Sequence, residues 1–161
     1  MTKAGTNISI QPCDYSCLSQ RQAVGSLINA YSKDEMGGGS PLSAQEQVAL
    51  TDGLSKHPTA IVLLAETDGI YAGLLVAFEN FSTFTARPML NIHDVFVLPG
   101  YRGKGIGRLL LNAIIAEAAV RKASRLTLEV RTDNLPAQHL YQSLGFEAPT
   151  PGMHYWRKYL K

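Results

Sequence analysis

The sequence predicts one α/β domain over residues 1–161, built on a mixed, mostly antiparallel sheet of six to seven strands with about four flanking helices. Three observations support this class. Apolar residues make up 45% of the 161-residue chain and charged residues 17%, enough for one packed core. Runs of β-prone residues alternate with stretches whose apolar residues recur at helical spacing. Three of those runs are consecutive, and a helical stretch joins the third to a fourth, which predicts antiparallel neighbours and one parallel pair.

The first third of the chain is predicted to form one short strand and two helices. Residues 7–11 form the strand candidate, and residues 19–33 place apolar side chains at helical spacing. The segment KDEMGGGSPLS then contains three successive glycines and Ser-Pro, which predict a mobile loop. Ser43 is expected to cap a second helix over 44–55, because Glu46 follows three residues later, as in a capping box.

The middle of the chain is predicted to form three consecutive strands. TAIVLLAE and GIYAGLLVAF are β-prone, and Asp68-Gly69 between them is typical of a hairpin turn. MLNIHDVFVLP follows as a third strand that ends at Pro99. This strand is partly apolar on both faces, so we expect it to lie in the centre of the sheet.

The last third of the chain is predicted to form a helix, a strand, a helix and a terminal strand. Apolar residues recur at helical spacing through residues 105–122, and RLTLEV is the next strand candidate. A second helical stripe runs over 137–144 and ends at Gly145, a typical helix C-terminal residue. MHYWRKYL is expected to form the last strand of the sheet.

Composition excludes several classes of function. The formal net charge is only +2, too small to indicate a nucleic-acid or membrane partner. No apolar run approaches the roughly 18 residues of a membrane span, and no basic segment followed by an apolar run marks a signal peptide. The two cysteines, Cys13 and Cys17, lack the accompanying Cys/His pair of a zinc site. We therefore expect a cytoplasmic protein without a bound metal.

The stretch VLPGYRGKGIGRLLL places four glycines and three basic residues between a strand and a helix. A helix N-terminus attracts anions through its unpaired N–H groups and its dipole, and glycine lets an anion approach the backbone closely. A P-loop would need Lys-Ser/Thr after its last glycine, and the dinucleotide pattern G-x-G-x-x-G does not fit either. The stretch predicts a diphosphate site of another type.

Two motifs give the chain a resemblance to the GNAT superfamily of N-acetyltransferases. Its acetyl-CoA loop reads Arg/Gln-x-x-Gly-x-Gly/Ala, which Arg102, Gly105 and Gly107 match. Further along, the family has a strand followed by Asn-x-x-Ala-x-x-x-Tyr and then Gly-Phe, which correspond here to LTLEV, Asn134, Ala137, Tyr141 and Gly145-Phe146. The resemblance covers about residues 60–147 and implies direct transfer of an acetyl group from acetyl-CoA to a primary amine.

The resemblance also implies a set of coenzyme-binding residues. These are Val95, Phe96, Val97, Arg102, Gly103, Lys104, Gly105, Ile106, Gly107, Arg108, Asn134, Ala137 and Tyr141. The first three are expected to expose backbone N–H groups where the strand splays from its neighbour. From the residues alone, the three basic side chains could equally be solvated surface charges, and Asn134 could simply cap a helix.

Two side chains are candidate catalysts. Tyr141 is expected to donate a proton to the departing CoA thiolate, although its place on an apolar helical stripe also fits a core tyrosine. His93 has the intrinsic pKa to help an amine lose its proton, although most strand histidines are structural.

The acceptor is expected to be a small amine. FSTFTARPMLNIHDVFVLPGYRGKGIG is similar to the corresponding region of diamine acetyltransferases, which implies a polyamine or diamine. Those enzymes have Glu-Asp where this chain has His93-Asp94. Asp34 and Glu35, beside the triple glycine, are expected at the acceptor entrance, and Asp94 is expected to attract the amine cation. The resemblance also implies a homodimer. A protein or peptide N-acetyltransferase and a non-catalytic acyl-CoA-binding regulatory module remain the alternatives.

Overall fold

The computed structural model describes residues 7–160, in which four α-helices, five β-strands and one short 3-10 turn are present. The chain divides into two compact units, Met1–Glu129 and Val130–Lys161. In chain order the elements are β1 (Ile8–Pro12), α1 (Leu18–Lys33), α2 (Ala44–Lys56), β2 (Ala60–Thr67), β3 (Ile70–Ser82), β4 (Arg87–Val97), the 3-10 turn (Pro99–Tyr101), α3 (Ile106–Val120), β5 (Leu126–Leu128) and α4 (Leu135–Gln142).

All five strands belong to one sheet of the first unit, in the order β1-β2-β3-β4-β5. The first four strands are antiparallel to their neighbours, and β5 pairs with β4 in parallel, Leu90 opposite Leu126. The parallel pair follows from the helix α3, which carries the chain back across the sheet between β4 and β5. The prediction of an α/β fold with a mixed, mostly antiparallel sheet and four helices is confirmed.

The predicted strand count of six to seven is wrong. MHYWRKYL forms no strand, and most of its large side chains are exposed, Met153 at 80%, Trp156 at 85% and Leu160 at 86%. Strand propensity describes a side chain's fit to a pleated surface, whereas a strand exists only where a second backbone pairs with it. The same limit shortens β5, which covers three residues where RLTLEV predicted six.

The two faces of the sheet pack against different helices. On the face covered by α1, called the α1 face, Val24 and Leu27 pack against Leu64, Leu74 and other buried residues of β2 to β4. Neighbouring residues of a strand point to opposite faces, so Gly73 points to the other face. A Cβ built there would lie only 2.8 Å from Cγ2 of Ile106 in α3, so this second face is the α3 face.

Local signals in the sequence are confirmed at two places. The Ser43 hydroxyl accepts a hydrogen bond from the Glu46 N–H at 3.2 Å, and the Glu46 carboxylate accepts one from the Ser43 N–H at 2.7 Å, which completes the capping box. Asp68 and Gly69 both have positive φ, 52° and 76°, as a tight hairpin turn between β2 and β3 requires. Among the described residues, no helix has the length and apolar character needed to cross a membrane.

Candidate active site

A β-bulge in β4 brings two candidate residues to the same face of the sheet. Val76 of β3 pairs with Asp94 and Ala77 pairs with Ile92, so His93 is the extra residue of the pair of strands. The His93 ring packs edge-on against Phe78, which belongs to the α1 face, with 5.8 Å between ring centroids. Without the bulge, His93 and Asp94 would point to opposite faces.

The bulge allows the two adjacent side chains to interact. Nδ1 of His93 lies 3.2 Å from Oδ2 of Asp94. The His93 side chain is 64% exposed and the Asp94 side chain 22% exposed, so the imidazole remains accessible from solvent while the carboxylate is largely covered. A carboxylate that accepts from one ring nitrogen leaves the other nitrogen to act as a base. Sequence analysis predicted both residues but could not show that they form a pair.

Beyond the bulge, β4 has an open backbone edge. β5 pairs with β4 only from Leu90 to Ile92, and no described residue continues that pairing. The Leu98 N–H donates to the Ala72 carbonyl of β3, whereas the neighbouring Val97 carbonyl accepts from Arg102 on the opposite side. Since successive peptide groups of a strand alternate in direction, Val97 and Val95 face the open edge.

Phe96 is therefore placed differently from the two valines that flank it. Its backbone pairs with Leu74 of β3, and its ring is 4% exposed within the core of the α1 face. The ring also stacks on Tyr31 of α1, with 5.3 Å between centroids. The expected coenzyme contact of the Phe96 backbone N–H is not available on the open edge, where only the flanking valines present theirs.

The glycine loop enters α3 through two residues with left-handed backbone conformations. Gly103 has φ of 75° and Gly105, the N-terminal cap of α3, has φ of 85°. A Cβ at either position would have no protein atom within 4 Å, so the space above the loop is open. The first N–H groups of a helix have no acceptor within the helix and favour an anion. The loop thus fits the diphosphate of a coenzyme such as acetyl-CoA.

Gly73 fixes the position of the helix that follows this loop. Its missing Cβ lets Ile106, the first residue of α3, and Leu110 pack directly against β3. Ile106 is 1% exposed and serves as a core residue, so only its backbone N–H remains for the predicted coenzyme contact. Sequence analysis did not single out Gly73. A glycine inside an otherwise apolar strand was the available signal, because such a residue indicates close approach of another element.

The Arg102 side chain is held at three points. Its Nε donates to the Val97 carbonyl at 3.0 Å, and its Nη2 donates to Oδ2 of Asp34 at 2.6 Å. The guanidinium carbon also lies 5.7 Å from the centroid of the Phe96 ring. Asp34 and Arg102, predicted as an acceptor-binding and a coenzyme-binding residue, therefore form an ion pair.

Asp34 caps the C-terminus of α1 and is largely covered, with its side chain 13% exposed. Burial alone would raise the pKa of this carboxyl, but hydrogen bonds from Arg102 and from the Met36 N–H lower it below its usual value. The residue is therefore ionised at neutral pH. Its neighbour Glu35 is exposed in the turn after α1.

The remaining basic residues of the loop differ from Arg102. The Lys104 ammonium lies 4.8 Å from the centroid of the Tyr101 ring, a cation–π contact that holds it at the loop surface. Gly107 and Arg108 lie in the first turn of α3.

The second motif lies in the second unit, around α4. Asn134 caps this helix, because its Oδ1 accepts a hydrogen bond from the Ala137 N–H at 3.2 Å. The helix-capping role that the sequence allowed for Asn134 is therefore present. Tyr141 lies in the last turn, partly buried, with its ring 5.9 Å from that of Phe146. The Gly145-Phe146 pair closes the helix as predicted: Gly145 has φ of 85°, and the Phe146 N–H donates to the Tyr141 carbonyl.

A groove of about 390 Å³ opens beside the end of α1 in the first unit. Its lining residues are Ser26, Asn29, Ala30, Lys33, Asp34, Phe96 and Pro99. The groove is therefore lined both by Asp34 of the ion pair and by Pro99, which begins the 3-10 turn before the glycine loop. Within residues 7–160, no group of three or more His, Cys, Asp or Glu side chains could hold a metal ion.

Comparison with known proteins identifies the family of the chain. Residues 26–146 match the model of the Acetyltransferase (GNAT) family, so the chain belongs to that family. It is 33% identical over 102 residues to the uncharacterized N-acetyltransferase YhfO of Bacillus subtilis, an alignment that covers 63% of this chain and 68% of YhfO. It is 44% identical over 79 residues to the streptothricin acetyltransferase of Streptomyces lavendulae, covering 49% of this chain and 40% of that enzyme.

Among solved structures, the fold is similar to that of an aminoglycoside N-acetyltransferase, AAC(6')-Iy, in complex with CoA. The TM-score is 0.77 at 19% identity, and the match covers 98% of this chain and 99% of the other. The chain spans from two fifths to about two thirds of the length of the two curated relatives named above. Family and fold together indicate an acetyl-CoA-dependent N-acetyltransferase, which confirms the class predicted from the two motifs.

Proposed function

We propose that the protein transfers the acetyl group of acetyl-CoA directly to a primary amine of a small molecule. The observation that carries this proposal is the course of β4. Its bulge presents His93 and Asp94 on the α1 face, and the strand then leads into the open glycine loop at the start of α3. A base for the amine and a cradle for the coenzyme thus come from one continuous stretch of chain.

Coenzyme binding is assigned mainly to backbone groups. Gly103 and Gly105 leave room for a diphosphate at the N-terminus of α3, and Lys104 adds a positive charge beside it. The Val95 and Val97 amides at the open edge of β4 are suited to hydrogen bonding with the pantetheine arm. Bound acetyl-CoA supplies an acetyl thioester. The Asn134 and Ala137 contacts implied by the family stay predictions.

For catalysis, His93 accepts a proton from the ammonium form of the acceptor, directly or through a water molecule, so that the nitrogen gains a lone pair. Asp94 holds the ring through Nδ1 and stabilises the imidazolium that forms. The open-edge N–H groups of β4 stabilise negative charge that develops on the carbonyl oxygen. Tyr141 donates its phenolic proton to the thiolate sulfur that leaves as the amine nitrogen bonds to the carbonyl carbon, and it regains a proton, through solvent, from the acylated nitrogen, which loses its second proton.

For the acceptor, we propose a polyamine or diamine. Asp94 provides a partly covered carboxylate on the α1 face, and Glu35 adds an exposed one in the turn after α1, next to Asp34, whose own charge is engaged by Arg102. Negative groups around the entrance favour an acceptor with more than one ammonium. A small-molecule acceptor is also supported by two of the similar proteins, a streptothricin acetyltransferase and an aminoglycoside N-acetyltransferase.

We further propose that the whole chain acts as one catalytic domain, in the cytoplasm, as a homodimer. The match to the solved acetyltransferase over 98% of this chain supports the single catalytic domain. Light scattering on the purified protein measures the oligomeric state.

The acceptor is tested by measuring free thiol release from acetyl-CoA with a panel of amines. The panel comprises spermidine, spermine, short diamines, amino acids, aminoglycosides and peptides with a free N-terminus. Turnover with the polyamines or diamines supports the proposal, whereas turnover only with another amine assigns a different acceptor to the same reaction. Turnover confined to peptides would favour a protein N-acetyltransferase. Tight acetyl-CoA binding without turnover on any amine would favour a binding module.

A further inference from the structure

The ion pair between Arg102 and Asp34 connects two parts of the first unit that are 68 residues apart in sequence. Arg102 belongs to the glycine loop, and Asp34 lies at the end of α1, on the wall of the groove. The contact therefore links the segment assigned to the coenzyme with the segment assigned to the acceptor.

The Asp34 end of this contact is rigidly placed. Its N–H donates to the Tyr31 carbonyl at 2.9 Å, and its Oδ1 accepts from the Met36 N–H at 3.1 Å, which leaves Oδ2 for Arg102. The turn that follows folds back on α1, since the Gly39 N–H donates to the Ser32 carbonyl at 3.1 Å. Both carboxylate oxygens of Asp34 thus have a defined donor.

The Arg102 guanidinium also has a defined position, but its two hydrogen bonds do not engage all of its N–H donors. Arginine has five N–H donors, and the contacts to Val97 and Asp34 occupy one on Nε and one on Nη2. The Arg102 side chain is still 48% exposed, against 13% for Asp34. Arg102 can therefore present further N–H groups to an anion without releasing Asp34. This argues against a simple competition in which a phosphate must displace the carboxylate.

We propose that Asp34 is a positioning residue for coenzyme binding. It holds the Arg102 guanidinium against the Val97 carbonyl, which fixes the start of the glycine loop relative to the end of β4 and presets the loop for a diphosphate. The negative charge of Asp34 is thereby engaged by an arginine and is largely neutralised toward an acceptor cation. This inference rests on the proposed binding of the coenzyme diphosphate by the glycine loop.

The pair also provides a route by which the two substrates influence each other. Asp34, Phe96 and Pro99 all line the groove, and two of them contact Arg102 directly. A molecule in the groove that packs against Phe96 and Asp34 touches two of the groups that hold the guanidinium, so that it favours coenzyme binding. By linkage, bound coenzyme then favours occupancy of the groove to the same degree.

The proposal is tested by calorimetric titration of CoA into wild type, Asp34→Asn, Arg102→Gln and the double variant. Asparagine has the shape of aspartate but presents an N–H₂ or a neutral oxygen to the guanidinium. We expect Asp34→Asn to weaken CoA binding about tenfold, the loss typical of one charge-assisted hydrogen bond. The double variant should bind no worse than Arg102→Gln alone, because the two residues act through one contact.

Asp52→Asn is the matched control. Asp52 of α2 forms an ion pair with Arg21 of α1 at the same distance of 2.6 Å. The Asp52 side chain is 43% exposed and the Arg21 side chain 38% exposed. It should leave CoA affinity unchanged. Asp34→Glu keeps the carboxylate and should recover part of the lost affinity. Thermal midpoints of the CoA-free variants separate a loss of binding from a loss of folding.

Several outcomes would overturn the inference. Tighter CoA binding by Asp34→Asn would show that the carboxylate competes with the diphosphate, and unchanged binding would show that it has no part. If the double variant loses CoA affinity by the product of the two single losses, Asp34 and Arg102 act independently. If Asp34→Asn fails to fold, Arg102→Lys gives the answer: full CoA affinity with a lysine would mean that only a charge is needed. A wild-type protein that binds no CoA would instead refute the proposed coenzyme site itself.

Discussion

At the scale of single residues, the glycine loop makes a prediction about backbone conformation. Gly105→Val should weaken acetyl-CoA binding at least tenfold, because a branched side chain disfavours the φ of 85° and fills the open space above the loop. Gly69→Val is the control, since Gly69 has φ of 76° and open surroundings but belongs to the β2–β3 hairpin and not to the glycine loop. Both variants should lose stability, and only the first should lose affinity in a calorimetric titration. Equal acetyl-CoA affinity in the two variants would contradict binding of the diphosphate by the glycine loop.

Tyr141 makes a second prediction at this scale. Phenylalanine keeps the ring that packs near Phe146 but removes the proton donor. Tyr141→Phe should therefore bind acetyl-CoA normally while kcat falls about 10²-fold, at the low end of general-acid effects. Tyr155→Phe, at a side chain that is 65% exposed, should change neither quantity. Turnover of Tyr141→Phe within about twofold of wild type, with chemistry rate-limiting, would leave Tyr141 with a packing role only.

Sequence patterns could single out candidate residues of the site but not the residues that these contact. The glycines at 103 and 105 were predictable because their role is local: a left-handed turn before a helix needs glycine in the chain itself. The pairing of Arg102 with Asp34 was not, because it depends on how α1 and β4 come together across the sheet. The bulge that unites His93 with Asp94 was hidden for the same reason, since a register shift is a relation between two strands.

At the scale of secondary-structure elements, the close packing of α3 against β3 can be tested directly. Gly73→Ala adds a Cβ that would lie 2.8 Å from Cγ2 of Ile106, so we expect it to lower the free energy of unfolding by about 1–3 kcal/mol, as overpacking does. Acetyl-CoA affinity should fall as well, because Ile106 begins the helix that carries the loop. Denaturant unfolding and calorimetry measure the two effects.

The control for this prediction is another glycine. Gly53 lies inside α2, where a Cβ would meet no atom within 4 Å, so Gly53→Ala should stabilise the protein by roughly 0.5–1 kcal/mol through helix propensity. Adding Ile106→Leu to Gly73→Ala removes the branching methyl and should restore part of the lost stability. If the two glycine variants change stability with the same sign, close packing at Gly73 is not the reason for its presence.

Where adjacent residues specify the start of a helix or a turn, the sequence predicted its position to within a few residues. The capping box of α2 and the Asp68-Gly69 hairpin are written into adjacent residues, so their positions follow from the chain alone. MHYWRKYL shows the opposite case, because its β-prone residues say nothing about whether another backbone is available to pair with them. The short β5 illustrates this as well, since only Leu126–Leu128 find partners on β4.

At the scale of the whole molecule, coenzyme binding should raise thermal stability. A ligand present at 100 times its Kd stabilises the folded state by about 2.7 kcal/mol. For a chain of 161 residues this corresponds to a rise in Tm of roughly 5–10 °C. Differential scanning calorimetry with acetyl-CoA measures the rise, and potassium acetate at the same concentration is the control. An unchanged Tm with acetyl-CoA would contradict binding to the folded protein.

The bulge in β4 means that the strand carries one residue more than its packing needs. Deleting His93 entirely would let Ile92 and Asp94 follow each other in ordinary alternation, with the isoleucine still toward the α3 face and the aspartate still toward the α1 face. We expect this shortened chain to fold with a Tm close to wild type while amine acetylation is lost. Deleting Val95 instead would also remove the bulge, but it would move Asp94 into the position of Val95, toward the α3 face, and should lower the Tm. His93 is thus an extra residue for the architecture, and the proposed proton transfer would account for its presence.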